Sequence, residues 1–169
     1  MSSDLTSTDT IYFFKPENPY GFLSQWYPSE FSEVSGPPVK YINTEQYMMA
    51  KKAQLFSDEE AYKKIMSATS PSTMRKIGRS IRGFHEGKWD DQKYEIVLQG
   101  NMLKFSQNED LRQKLLDTSP AILAEASPWD NIWGVGISCD EAQKGTPWQG
   151  ENLLGKVLID VRRYLGTFE

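Results

Sequence analysis

The chain alternates between short apolar runs and longer stretches in which apolar residues recur with helical spacing. Residues 11–14 form a continuous apolar run that is stopped by Lys15-Pro16, which is typical of a buried strand. Similar runs predict strands at 30–34, 39–42 and 122–126. Periodicity combined with helix start and stop residues predicts helices at 44–54, 57–68, 70–78, 88–105, 108–118 and 152–165. The pattern therefore predicts a compact α+β fold that is mostly helical and has a small β-sheet.

The helix predicted at 44–54 carries the most informative pattern. Thr44 is a candidate N-cap, because its hydroxyl can accept a hydrogen bond from a free N–H of the first turn. Glu45, Met48/Met49 and Lys52 follow the spacing i, i+3/i+4, i+7 and so share one face. An apolar face that begins with a carboxylate and ends with an ammonium needs partners for both charges. Either Glu45 interacts favourably with the helix dipole and the Lys52 ammonium reaches water, or the two charged groups take part in catalysis or binding.

Composition narrows the class of protein. The length of 169 residues fits one domain, and the net charge of −4 gives no overall attraction to nucleic acid. Cys139 and His85 are the single residues of their types, so an internal disulfide is impossible and a Cys/His zinc site lacks ligands. No apolar run is long enough to span a bilayer, and the polar residues 1–10 lack the apolar core of a signal peptide. We therefore expect a disordered segment over 1–10, one domain over 11–169, no membrane partner and a cytoplasmic location.

Two loop regions and one basic strip are further candidates for ligand binding. Residues 125–136 contain two tryptophans and two acidic residues, which fits either a cavity wall or a structural loop around a core tryptophan. Residues 144–155 are a glycine-containing loop that feeds a predicted helix and can offer N–H groups to an anion, although the loop lacks the P-loop and GxGxxG patterns. The basic strip consists of Arg75, Lys76, Arg79 and Arg82.

Five segments also stand out because they occur in a fixed order. They are FLSQWYP (22–28), TEQYMMAKK (44–52), GN (100–101) together with KFSQ (104–107), EASPWDNIWGVG (125–136) and GENLLG (150–155). Together they resemble the NADAR family, which is also called YbiA-like or riboflavin-intermediate N-glycosidase-like. The resemblance extends over residues 11–166. It implies a helix-rich α+β domain with N-glycosidase activity that needs neither a metal nor another cofactor.

The resemblance also implies functional positions. The catalytic positions fall on Glu45, Lys52 and Asp130. The substrate-binding positions fall on Ser24, Gln25, Arg79, Trp89, Glu125, Trp133, Gly134 and Asn152. Gln25 and Gln46 stand where some members have Asn and His, and this difference leaves the details of the substrate open.

Cleavage of an N-glycosidic bond builds positive charge on the ribose, so a carboxylate such as Glu45 can stabilise that charge or activate water. Alternatively, a lysine amine such as that of Lys52 can attack C1. The expected reaction removes ADP-ribose from ADP-ribosylated guanine, as a nucleoside or within single-stranded DNA. One alternative is hydrolysis of ribosylated intermediates of early riboflavin synthesis, and a second is a module that binds ADP-ribose or a nucleotide without turnover. The oligomeric state stays open.

Overall fold

The computed structural model describes residues 4–167, and the chain divides into two compact units. Unit 1 contains the residues up to Tyr27 and those from Asn108 onward, and unit 2 contains Pro28–Gln107. The predicted α+β class and the predominance of helix are confirmed, because the described residues form seven α-helices and four short strands. The strands pair two by two, giving two small sheets where one was expected.

Unit 2 is a group of helices around one central helix. A hairpin-like sheet comes first, with β2 (Phe31–Glu33) antiparallel to β3 (Val39–Tyr41). The central helix α1 (Thr44–Leu55) follows and packs against each of the three later helices of the unit. These helices are α2 (Glu59–Ser67), α3 (Pro71–Gly78) and α4 (Glu86–Gln107).

Unit 1 is built around a pair of parallel strands. Strand β1 (Thr10–Phe13) pairs with β4 (Ile122–Glu125), so that Ile11 lies opposite Leu123. Helix α7 (Leu153–Gly166) packs against β4 and also against α5 (Glu109–Leu116), while the short α6 (Cys139–Gln143) lies in the loop region between β4 and α7. The sequence pattern missed α6, which starts with a capping box formed by Ser138 and Glu141.

Part of the segment that was predicted to be disordered is structured. Thr6–Asp9 form a turn in which the Asp9 N–H donates to the Thr6 carbonyl, and the Asp9 carbonyl accepts from the N–H of Ile122. Strand β1 then begins at Thr10. Residues 1–3 of that prediction lie outside the described part of the chain.

The start of α1 differs by one residue from the predicted cap. Asn43, and not Thr44, is the N-cap: its extended backbone places its side-chain oxygen 2.8 Å from the N–H of Gln46. The Gln46 side chain reinforces this turn, since its oxygen accepts from the N–H of Ile42 and its amide nitrogen donates to the carbonyl of Ile65 in α2. The first turn of α1 is therefore fixed from two sides, and this turn carries Glu45.

One side of α1 rests on an aromatic cluster. The Tyr47 ring lies edge-on to Tyr41 at 5.0 Å, and Phe31 stacks on Tyr41 at 5.6 Å. The Tyr47 hydroxyl donates to Glu33 at 3.3 Å, and Lys51 forms an ion pair with the same carboxylate at 2.6 Å. Burial and the charge of Glu33 raise the pKa of Tyr47 far above its usual value, so Tyr47 stays a hydrogen-bond donor.

Glycines let neighbouring helices approach α1 closely. A Cβ at Gly100 of α4 would lie 2.6 Å from Cδ1 of Tyr47, and a Cβ at Gly78 of α3 would overlap the Met49 sulfur. By helix propensity alone, a glycine inside a helix is destabilising. In the structure it allows α4 to lie against the ring of Tyr47.

We expect Gly100→Ala to destabilise the protein even though alanine favours helix. Overpacking a core costs about 1–3 kcal/mol, whereas the gain in helix propensity is at most about 1 kcal/mol. Gly36→Ala is the matched control, because nothing lies within 4 Å of a Cβ at that position. Urea unfolding should show a net loss for Gly100→Ala and no change beyond about 0.5 kcal/mol for Gly36→Ala. Equal stabilities for the two variants would show that α4 does not depend on this close approach.

Candidate active site

Glu45 is a buried carboxylate at the start of α1. It is the second residue of the helix, directly after the Asn43 cap and Thr44, and only 4% of it is exposed. The positive end of the helix dipole favours a negative charge in the first turn. This position favours a buried carboxylate, whose field on nearby charges is stronger than in water.

Lys52 lies on the same helix face, seven residues further along, which corresponds to roughly 10 Å of helix. The side chain is half-buried, and its Nζ donates to the carbonyl of Gly78 at 2.8 Å. Two aromatic rings cover the ammonium, with the centroid of Phe84 at 4.8 Å and that of Trp89 at 5.3 Å. The amine is thus fixed by one hydrogen bond and two ring faces.

The surroundings of Lys52 lower its pKa. Burial has the largest effect, because it disfavours the charged form. The negative charge of Glu45 acts in the opposite direction, and the positive charge of Arg79 adds to the lowering. A lysine with a lowered pKa has a larger neutral fraction at neutral pH and is a better nucleophile or proton acceptor.

Unit 2 therefore groups four of the residues that the resemblance implies, namely Glu45, Lys52, Arg79 and Trp89. Arg79 directly follows α3 and its side chain is exposed, whereas Trp89 is buried in the first turn of α4. The sequence analysis missed Phe84, which lies in a segment without regular pattern. A large aromatic side chain in a glycine-flanked, otherwise polar segment was the available signal.

In unit 1, Asp130 shapes the loop that carries the two tryptophans. Its Oδ1 accepts from the N–H of Ile132 at 2.9 Å and from the N–H of Trp133 at 2.8 Å. Gly134 is buried, and a Cβ there would lie 2.9 Å from the carbonyl oxygen of Glu125. Trp133 is half-buried, while Trp129 is 79% exposed. The structure thus gives the Asp130 carboxylate a structural task, and a catalytic role for it stays a prediction.

Asn152 connects α7 to β4. Its backbone is left-handed, with φ at 53°, a region that Asn tolerates better than most residues. Its side-chain oxygen accepts from the N–H of Glu125 at 3.1 Å, and its amide nitrogen donates to the carbonyl of Leu123 at 2.9 Å. Both ends of the amide are therefore used within the protein, which gives Asn152 a structural role at the position predicted to bind substrate.

The structure shows where Ser24, Gln25 and Glu125 of unit 1 lie, but it does not show whether they bind a ligand. Ser24 and Gln25 follow a 3-10 turn at Gly21–Leu23 and are buried, and the Ser24 hydroxyl accepts from the N–H of Trp26 at 3.2 Å. Glu125 is half-buried at the end of β4. Substrate binding by these three residues stays a prediction.

The loop at 144–155 does not offer the N–H groups that the anion hypothesis needs. The N–H groups of Gln149 and Gly150 donate to the carbonyl of Val135, and that of Glu151 donates to Asn131. The first N–H groups of α7, from Leu153 and Leu154, donate to the carbonyls of residues 132 and 133. These backbone donors already have partners within the protein, so they do not support a phosphate site at this loop.

A second lysine, Lys104, is completely buried in α4, and burial lowers its pKa to about 7. It lies fifteen residues after Trp89 on the same helix, roughly 22 Å along the axis. This distance excludes Lys104 from the group around Lys52.

The part of the chain that the structure describes contains neither a metal-binding cluster nor a membrane-spanning helix. Among residues 4–167, no group of three or more His, Cys, Asp or Glu side chains could hold a metal ion. No α-helix within the same residues has the length and apolar character to cross a membrane.

Known proteins resemble this chain over nearly its whole length. The family model described as "NADAR domain" matches residues 12–166. The chain is 43% identical to "N-glycosidase R617" of Acanthamoeba polyphaga mimivirus over 163 residues, which cover 92% of this chain and 96% of that protein. It is 30% identical over 155 residues to "Riboflavin biosynthesis protein VVA0006" of Vibrio vulnificus, covering 92% of this chain and 38% of that longer protein.

A solved structure shows the same fold. The NMR structure of the E. coli protein YbiA superimposes with a TM-score of 0.79 at 26% identity, covering 97% of this chain and 89% of that one. The match of the family model over nearly the whole chain, together with relatives named N-glycosidases and riboflavin biosynthesis proteins, establishes that the chain belongs to the NADAR domain family.

Proposed function

We propose that the protein is an N-glycosidase that hydrolyses the bond between a nitrogen and C1 of a ribose, and that Glu45 and Lys52 carry the reaction. One observation supports this most: a buried carboxylate and a lysine of lowered pKa lie on one face of α1, two helical turns apart. The names of the relatives support the same class of reaction.

The proposed reaction uses Lys52 as the nucleophile. The neutral amine attacks C1, the C1–N bond breaks, and its electron pair leaves with the nitrogen of the base, which takes up a proton. The attacking amine supplies that proton and is left as a ribosyl-lysine. The bond between C1 and the ring oxygen then opens as the remaining N–H proton moves to this oxygen, which gives the imine. Water adds to C1, the bond between C1 and the lysine nitrogen breaks, and the amine and the ribose are released. Glu45 stabilises the positive charge that develops on the ribose. The balance is one N-glycoside and one water giving a free amine and a free ribose, without a metal or another cofactor.

Arg79 has a second task in this proposal. Its charge lowers the pKa of Lys52, and its exposed guanidinium can bind a phosphate group of the substrate. Arg82, by contrast, is paired with Asp58 at 3.2 Å and with Glu60 at 3.4 Å. Within the basic strip we therefore assign phosphate binding to Arg79 and not to Arg82.

Among substrates, we favour ADP-ribosylated guanine, as a nucleoside or in single-stranded DNA, over ribosylated riboflavin intermediates. Support comes from Phe84, whose ring lies 4.8 Å from Nζ of Lys52, is 47% exposed and can stack a base. Base stacking on an aromatic side chain is worth about 1–3 kcal/mol per base. With a net charge of −4, any contact with DNA is local, to an unpaired or extruded base.

A module that binds ADP-ribose without turnover is the alternative from another class. Such a module has no use for a buried carboxylate near the anomeric carbon, whereas an N-glycosidase needs one.

We expect Glu45→Gln to fold and to lose activity by roughly 10²–10⁴-fold, because the amide has the shape of the carboxylate but no charge for the ribose cation. Glu60→Gln is the matched control, since Glu60 is also the second residue of its helix but is exposed. The measurement is kcat/KM for release of the free base, with circular dichroism as the check of folding. Unchanged turnover in folded Glu45→Gln contradicts the assignment of Glu45.

We expect borohydride to trap a substrate-derived adduct on Lys52 during turnover, because reduction converts the imine into a stable secondary amine. Peptide mass spectrometry locates the adduct, and the neighbouring Lys51, held in its ion pair with Glu33, serves as the control in the same molecule. Turnover without an adduct at Lys52, and with full activity in Lys52→Met, would replace the covalent route by water activated at Glu45.

We expect a higher kcat/KM for ADP-ribosylated guanosine than for ribosylaminopyrimidine phosphate when the two compete at equal concentration. The assay contains EDTA, because the proposed reaction needs no metal. The reverse ranking, without release of ADP-ribose from the modified guanosine, would make the riboflavin intermediate the preferred substrate and leave the N-glycosidase class intact.

A further inference from the structure

The segment between α3 and α4, residues 79–85, carries one wall of the Lys52 environment. It has no regular secondary structure, and all of its residues except Ile81 are exposed. Yet the Phe84 ring lies 4.8 Å from the ammonium of Lys52. An exposed irregular segment keeps a ring at such a place only if another part of the protein holds it there.

Asp58 holds the middle of this segment. It is the N-cap of α2, its side chain is only 4% exposed, and its Oδ1 accepts from the N–H of Ala61 at 3.1 Å. The same carboxylate reaches across to Arg82, where Oδ2 accepts from the backbone N–H at 2.8 Å and Oδ1 accepts from the guanidinium at 3.2 Å. One carboxylate therefore fixes both the start of α2 and the segment in front of Phe84.

The turn before Asp58 contacts the same segment. Phe56 lies edge-on to Phe84, with 5.3 Å between ring centroids. Gly83 adopts a φ of 74°, and this backbone lets the chain turn between Arg82 and Phe84. The segment is thus held at two successive points, by a charged hydrogen-bond pair and by an aromatic contact.

We propose that Asp58 and Phe84 are positioning residues for Lys52: Asp58 fixes the segment at Arg82, and the segment in turn holds the Phe84 ring over the amine. This inference rests on the proposed function for its catalytic consequence, but its structural part concerns Lys52 alone. With Phe84 in place, water has limited access to the amine. Release of the segment would hydrate the amine and let it move away from its reactive position.

The charge that holds the segment is stable over a wide pH range. The backbone N–H of Arg82, followed by that of Ala61 and by the Arg82 guanidinium, lowers the pKa of Asp58 to about 2. The carboxylate therefore stays ionised at every pH at which the enzyme would act.

The test measures the reactivity of Lys52 directly, without substrate. The protein is trace-labelled with acetic anhydride over a range of pH, and mass spectrometry gives the rate at Lys52 relative to Lys51 of the same molecule. The pH midpoint of the rate reports the pKa of the amine, and the plateau at high pH reports its accessibility. The variants are Asp58→Asn and Phe84→Ala, with Phe84→Tyr as the conservative exchange that keeps the ring.

Glu60→Gln is the control for Asp58→Asn. Glu60 also pairs with Arg82, but it is exposed and makes no contact with the Arg82 backbone among the interactions described for residues 4–167. If Glu60→Gln labels like the wild type, loss of a negative charge near Arg82 does not by itself explain a changed labelling profile in Asp58→Asn.

We expect Asp58→Asn and Phe84→Ala to raise the midpoint toward the ordinary lysine value of about 10.4 and to raise the plateau, while Phe84→Tyr and Glu60→Gln keep the wild-type profile. An unchanged profile in Asp58→Asn or in Phe84→Ala would overturn the proposal. An equal increase at Lys51 would also overturn it, because that result indicates general loosening of α1.

Turnover tests the catalytic consequence. For Asp58→Asn we expect kcat to fall by up to about 100-fold, with little change in KM, because a displacement of about 1 Å can have this effect. If Lys52→Met is fully active, the proposed role of Lys52 as the nucleophile fails, whereas the labelling result for the segment still stands. If Lys52→Met is inactive and Asp58→Asn has normal kcat and a normal labelling profile, the positioning role fails whereas the proposed function stands.

Discussion

The burial of α1 is the constraint on which the rest of unit 2 depends. Eight of its twelve residues are buried, including Glu45, so this helix has no wide polar face through which its charges could reach water. Every polar group on it must then find a partner within the protein or be shifted toward its neutral form. The cap at Asn43 and the Glu33 pair with Lys51 satisfy some of these groups. For Lys52 the surrounding groups do not fully offset the cost of burying its charge, and its pKa is therefore lowered.

This constraint links stability to chemistry. A half-buried lysine covered by aromatic rings is less stable as a cation than a lysine in water, and the protein compensates through packing at Gly78 and Gly100 and through the aromatic cluster below Tyr47. An amine with a lowered pKa is useful as a nucleophile, which an ordinary exposed lysine is not. Burial disfavours the charged form of Lys52. It also strengthens the electric field of Glu45 at Lys52.

Much of this arrangement can be predicted from the sequence, because it depends on local spacing. The i, i+7 relation of Glu45 and Lys52 follows from the helical pattern alone, and the start of α3 at Ser70-Pro71 follows from known preferences for helix starts. The pairing of β1 with β4 does not follow, since more than one hundred residues separate the two strands. The roles of Gly100 and Asp58 also depend on contacts between distant segments. Asn152 and Asp130 have residue types that fit a ligand site, and the sequence does not reveal that their side chains also bind the backbone of their own unit.

The most direct test of the central claim is mass spectrometry of the products after the wild-type protein is incubated with ADP-ribosylated guanosine and, separately, with ribosylaminopyrimidine phosphate. The account predicts that at least one substrate is split into a free base or amine and a free ribose-containing product, with the mass of one water added in total. Intact recovery of both substrates, from a protein that is folded and binds either of them, would contradict an N-glycosidase and favour a binding module.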